Sequence, residues 1–357
     1  MKKLSFILGI LAMGSIVSFA QTEDASNVSN VHQSGTEQEA AIDQMGILNK
    51  SYVTQSSMAN EAEVTQSNYN ALYNTYSDIN QSGEENEAIV QQISTGTSTG
   101  ANAIGTLEAH VDQSGNGNEV YQNQGPHKQQ GISFAEVAQS GNENFASQHQ
   151  LKYGNEARIY QSGSNNVALQ AQDSWLLEDE EGSYGNALMD QSGDFNTATQ
   201  EQDGWANDAK AFQSGNYNTS TQVQKDYSWK NIAFVSQSGD ENTASQTQLG
   251  FLNSAKIDQA SDASTATQDQ SSDARRPSGY APLNKAEIYQ LGGDENMAEQ
   301  TQTILGGDIK LNEGIIWQNG SLNEAYQTQA GGDNFSTVCQ SGSSNIANVT
   351  QSMSIVQ

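Results

Sequence analysis

Carboxamides are the side chains whose type and spacing stand out in this chain. A glutamine recurs thirteen times, at Gln33, Gln55, Gln81, Gln113, Gln139, Gln161, Gln191, Gln213, Gln237, Gln259, Gln290, Gln318 and Gln340. Five residues after it stands an asparagine, at Asn60, Asn86, Asn118, Asn144, Asn166, Asn196, Asn218, Asn242, Asn323 and Asn345. The eleventh unit places Asn296 one residue late, and Gln38 and Ser264 depart. A primary amide donates twice, accepts on one oxygen and does not titrate near neutrality. Amides at a fixed repeat therefore point to hydrogen-bond ladders between copies of a unit, not to proton or group transfer.

The groups that do titrate are not arranged for catalysis. His32, His110, His127 and His149 fall at neither metal-ligand nor triad spacing. The chain is expected to be no enzyme and to need no cofactor. Gly292-Gly293-Asp294, Gly306-Gly307-Asp308 and Gly331-Gly332-Asp333 invite comparison with calcium turns. Calcium solenoids keep Asp in a fixed column, and here the acids wander, so solvated turn carboxylates and no metal site are expected. Cys339 is the single cysteine, which leaves no internal disulfide framework.

The elements that would position the amides are short strands. In Gln191–Gln213, Asn196, Ala198, Gln200 and Gln202 sit two apart, and so do Asn207, Ala209, Ala211 and Gln213. A period of two means a strand with one inward face. Two seven-residue strands and two four-residue turns, Ser192–Phe195 and Asp203–Ala206, close one 22-residue coil. Gly stands two after the leading Gln in eleven of thirteen units, the exceptions being Ser57 and Ser261. A second Gln follows eleven residues after the first, from Gln44 to Gln351, or twelve after in the case of Gln302. Insertions such as 93–108, 173–185 and 271–283 follow the second Gln; Pro277 and Pro282 fall in the last of these and Pro126 in the insertion after Gln124. A ladder excludes proline, so loops should hang from one edge. The expected fold is all-β, a two-strand-per-rung β-solenoid of cross-β character with about thirteen rungs. At about 4.7 Å per rung this is a rod roughly 60 Å long.

Composition sets the surroundings. The chain is 34% hydrophobic, which would suggest disorder were the amides not in columns. Residues 1–20 read as a secretion signal, with Lys2 and Lys3, an apolar run Leu4 to Val17, and Ser18-Phe19-Ala20 at the cleavage site. Residues 21–26 read as a polar leader and 27–357 as the repeats. The net charge of −28 argues against nucleic acid and anionic membranes as partners, and no other segment is apolar enough to insert in a bilayer. Neither end shows a cap, so both should expose strand edges that invite another copy, giving an end-to-end homopolymer.

The unit Gln-x-Gly-x-x-Asn-x-Ala-x-x-x-Gln, as in QSGDFNTATQEQ at 191–202 and QSGNENFASQHQ at 139–150, resembles the curlin repeat of curli fibre subunits. The resemblance covers 27–357. It implies a functional amyloid of the bacterial biofilm matrix, secreted to the cell surface as an adhesive fibre. It also implies a nucleator subunit, a periplasmic chaperone and an outer-membrane secretion pore as partners. Here the column six before the leading Gln is mostly Asn, where curlin rungs commonly have Ser. The rungs are also more numerous than in the usual major subunit.

A rival reading is a soluble ice- or surface-binding solenoid. Its basis is the outward Thr197-x-Thr199, Thr219-x-Thr221, Thr243-x-Ser245 and Thr265-x-Thr267. Threonine also favours exposed strand positions for its own reasons. Tyr160, Phe212, Tyr289 and Trp317 each precede a leading Gln and should face out. Acids cluster in turns, as at Glu84-Glu85 and Asp240-Glu241, and stacked turns are expected to repel.

Overall fold

In a computed structural model, the described residues are 17–18, 27–69, 73–94, 105–127, 132–151, 154–173, 184–272, 284–304 and 311–352. The secretion signal and leader, apart from Val17 and Ser18, lie outside them, as do the centres of the three long insertions.

Repeats with a period of two become strands, and among the described residues there is no helix. Each rung gives one strand to each of two parallel sheets. In the first sheet Ile132–Asn142 lies between Gly105–Asn116 and Glu156–Ser164, with Gln113, Gln139 and Gln161 directly in register. In the second, Phe145–Gln150 lies between Glu119–His127 and Val167–Asp173. The protein is a parallel β-solenoid. Contacts divide it into two compact units, one ending at Asp173 and one starting in earnest at Gly185. The first unit holds six rungs, from Gln33 to Gln161, and the second holds seven, from Gln191 to Gln340.

The core is thin. In the second unit Val235, Ile257, Ile288, Ile316 and Val338, each two before a leading Gln, pack against Ala244, Ala266, Ala298 and Ala325 of the other sheet. Alanine is what lets the sheets approach this closely, so Ala198 and Ala266 are fully buried. Glycine two after the leading Gln has a steric cause. Gly141 has φ +107°, and a Cβ there would meet Gly163 O at 2.0 Å. The two serine exceptions behave differently: Ser57 keeps the left-handed turn at φ 84°, whereas Ser261 is not among the positive-φ residues.

The expectation of two open edges needs one amendment. In the second sheet Glu39–Gly46 has a single neighbour, Glu61–Asn68. In the first sheet Val17–Ser18 lies antiparallel to Val28–Thr36, opposite Val31 and Asn30, so part of that edge is covered.

Candidate functional site

The repeated amides form ladders as their spacing demands. Each leading Gln donates from Nε2 to Oε1 of the Gln on the following rung, at 2.7–3.0 Å within each unit. The second Gln column does the same, from Gln44 to Gln172 and from Gln202 to Gln351. The amide nitrogen also reaches backbone across the interior: Gln113 Nε2 donates to Asn118 O of its own rung at 2.9 Å and to Glu87 O of the preceding rung at 3.0 Å. A third ladder runs nine residues after the leading Gln, for example Gln122 to Gln148 and Gln246 to Gln268, both 2.9 Å.

The Asn ladder runs in the opposite sense. Asn118 donates from its backbone N–H and from Nδ2 to Asn86 Oδ1 on the preceding rung, at 3.1 and 3.0 Å. Its Nδ2 also reaches Ser114 O and Gly141 O, which fixes the turn. Asn144 and Asn166 repeat the pattern. Unmade hydrogen bonds of buried amides cost about 1–3 kcal/mol each, so register is enforced from inside. The departures leave marks: Asn242 Nδ2, beside the Ser261 and Ser264 rung, is buried without a partner.

Two features of the turns were not read from the sequence. The residue before each first-turn Asn is left-handed whatever its type, as in Phe195, Tyr217 and Leu322, with φ of 56–58°, and so is Glu37 before Gln38. Asp or Asn three after the leading Gln forms a further ladder, in which Asp240 Oδ1 accepts from Asn216 N–H and Asp262 Oδ1 from Asp240 N–H. The Asp240 and Asp262 carboxylates are therefore bonded acceptors. A like-charge stack lies on the outer face of a sheet, where Glu39, Glu61, Glu87 and Glu119 are in register. Partial burial, then Glu119 and Glu61, push the Glu87 carboxyl up from its ordinary range. Tyr121 hydroxyl donates to Glu87 at 3.4 Å, and its own proton is held more tightly, chiefly by Glu119.

The outer faces differ in kind. Thr197, Thr219, Thr243 and Thr265 are in register, as are Thr199, Thr221, Ser245 and Thr267. The opposite sheet carries aromatics: Tyr160, Phe212, Tyr289 and Trp317 face out, and Lys256 Nζ lies 4.6 Å from the Tyr289 ring centre. His32 and His110 lie on this sheet and His149 on the other. Cys339 is exposed. Among the described residues no group of three His, Cys, Asp or Glu is placed to hold a metal ion. No helix among them is long and apolar enough to cross a membrane.

The end rungs are the exception to burial. Inner residues are buried through most rungs, but Val31, Gln33, Ala40, Ile42 and Gln44 are only half-buried. So are Ala347, Val349 and Gln351 at the other end. This defines the class: a β-solenoid whose first and last described rungs present their cross-sections. No family model and no curated protein matches the chain.

Proposed function

We propose that this chain is a secreted structural subunit that polymerises end to end into extracellular, curli-like amyloid fibres serving biofilm cohesion and surface adhesion. One observation carries the reading: the inner residues of the Gln33 rung, and Ala347, Val349 and Gln351 on the last described strand, are half-exposed where those between are buried. Their ladders also stop with complementary groups. Among the described residues Gln340 and Gln351 donate to no further rung, and Gln33 and Gln44 accept from none. Sheet edges of this kind recruit further strands. Export through residues 1–20, a nucleator, a chaperone and a secretion pore belong to the same reading, and the curlin-like spacing supports them. The test is sedimentation and fibre diffraction of the chain beginning at Gln21. Growing aggregates with strand spacing along the fibre axis are expected; a persistent monomer overturns the reading.

A second reading rests on the threonine array of the second unit. Within the described residues none of its eight hydroxyls has a hydrogen-bond partner. Such a lattice would order water and bind ice or a mineral face. Ice-growth inhibition by the monomer, lost on Thr221→Lys, tests it.

A further inference from the structure

Two inner columns vary together along the chain. Nine after the leading Gln stand Ile42, Val64 and Val90, then nine glutamines from Gln122 to Gln327, then Val349. Four before the leading Gln stand Ser29, Ser51 and Ser77, then alanines from Ala109 to Ala286 with Gly314 closing the run, then Ser336. Aliphatic goes with serine and glutamine with alanine or glycine, in all thirteen units.

The two columns face each other across the interior. A Cβ at Gly314 would stand 2.5 Å from Gln327 Oε1. A long amide therefore needs a small partner. A shorter aliphatic leaves room for a serine whose hydroxyl is bonded, as Ser77 Oγ is to Ser51 Oγ at 3.0 Å and to Gln66 at 3.4 Å. There are thus two types of rung.

Where the types meet inside the chain, something is lost or redirected. Gln122 lies on Val90, and its Oε1 is buried without a partner. Gln327 lies under Val349, and its Nε2 turns to Ser336 O and Oγ. Both boundaries fall inside the chain, so that its first and last rungs are of one type. Set the Gln340 rung on the Gln33 rung of a second copy, and Val349 meets Ile42, Ser336 meets Ser29, Val338 meets Val31 and Ala347 meets Ala40. Gln340 and Gln351 gain Gln33 and Gln44 as acceptors, and Asn27 donates to Asn334 as Asn49 does to Asn27. Asn345 over Gln38 is the one inner column that differs.

We propose that these paired columns are a register code, which makes copies of this chain join whole, last rung on first, and excludes staggered or inverted joints. This rests on the assembly reading above. A joint one rung short, with the Gln318 rung on the Gln33 rung, would set Gln327 on Ile42 and strand buried amide groups. An inverted joint would set donors against donors. Val17–Ser18 covers part of the receiving edge, so the joint forms on the chain that lacks residues 1–20.

The experiment uses that chain with Cys339→Ser. Ala41 and Asn348 are exposed, on the same outward column of the first and last rungs. Stacked rungs bring such positions within disulfide reach, about 4.4–6.8 Å between Cα atoms. Mixed Ala41→Cys and Asn348→Cys chains, assembled and then oxidised, should give the mixed covalent dimer, and neither alone should dimerise. Ala41→Cys with Tyr326→Cys, one rung short, should give none. Assembly without the 41–348 dimer, or with self-dimers or the 41–326 dimer, overturns the code. A parent chain that does not sediment overturns instead the assembly reading beneath it. In a second arm, Val349→Gln with Ser336→Ala keeps the fold and should slow elongation several-fold. Adding Ile42→Gln and Ser29→Ala should restore it, and unchanged elongation of the first double variant overturns the code.

Discussion

Val90 lies directly beneath Gln122 in the parallel register, and Gln122 Oε1 is buried there with nothing to accept. One rung higher the same column closes into a continuous amide ladder, from Gln122 to Gln148 at 2.9 Å. The defect is the cost of changing rung type, and it makes the pairing of columns measurable. Val90→Gln alone should destabilise by about 1–3 kcal/mol, since it overpacks against Ser77. Adding Ser77→Ala should recover most of that, a coupling of about 0.5–3 kcal/mol in a double-mutant cycle by urea denaturation. Additive effects would show that the columns do not sense each other.

Asn242 marks a second weak place. In neighbouring rungs the Asn amide reaches the glycine carbonyl above, as Asn218 Nδ2 reaches Gly239 O at 2.7 Å. Ser261 replaces that glycine and Ser264 the asparagine. Ser261→Gly with Ser264→Asn should raise stability by about 1 kcal/mol, seen as a higher denaturation midpoint. A lower midpoint would mean that the Ser261–Ser264 hydroxyl pair, 2.8 Å apart, matters more than the ladder.

Facing can be tested at two adjacent residues. Gln213 is 2% exposed and donates to Gln237 at 2.9 Å, while Phe212 points outward against Phe234. Gln213→Lys should cost about 3 kcal/mol or more, because it buries an unpaired charge and breaks a ladder. Phe212→Lys should stay within about 1 kcal/mol. Circular dichroism during thermal unfolding separates the two.

The glutamate column gives a pH dependence. The Glu87 pKa is raised in the folded chain, so the folded state holds its proton more tightly than the unfolded state does. The stabilisation is fully present below the ordinary glutamate pKa and is lost as pH rises through the raised value. The first unit should therefore be more stable at mildly acid than at neutral pH. Glu87→Gln should flatten that slope and raise neutral-pH stability by about 0.2–1 kcal/mol. Greater stability on raising the pH through this window, abolished by Glu87→Gln, would reverse the sign.

Much of the fold was legible because the Gln, Asn and Gly columns each repeat one residue type in most units, so that period, turn and ladder coincide there. The left-handed residue before each Asn was not legible. Phe195, Tyr217 and Leu322 have no common chemistry, and Glu37 and Ala263 keep the same left-handed φ before Gln38 and Ser264, so the turn itself sets it. The bonding of the turn acids was not legible for a related reason. Asp240 and Asp262 are short enough to reach backbone N–H groups, which spacing alone does not reveal. Only the Gly314–Gln327 approach shows that the columns four before and nine after the leading Gln share one space.

The opposed senses of the two ladder types have an electrical consequence. Glutamine amides point their N–H groups toward the C-terminal rung, and asparagine amides point theirs toward the N-terminal rung. Their dipoles partly cancel with every rung added, unlike the peptide dipoles of an α-helix, which accumulate. A longer stack therefore accumulates less axial dipole than aligned amides of one sense would. Long-range approach is governed by the net charge of −28, which salt screens. Selection at a tip waits for contact.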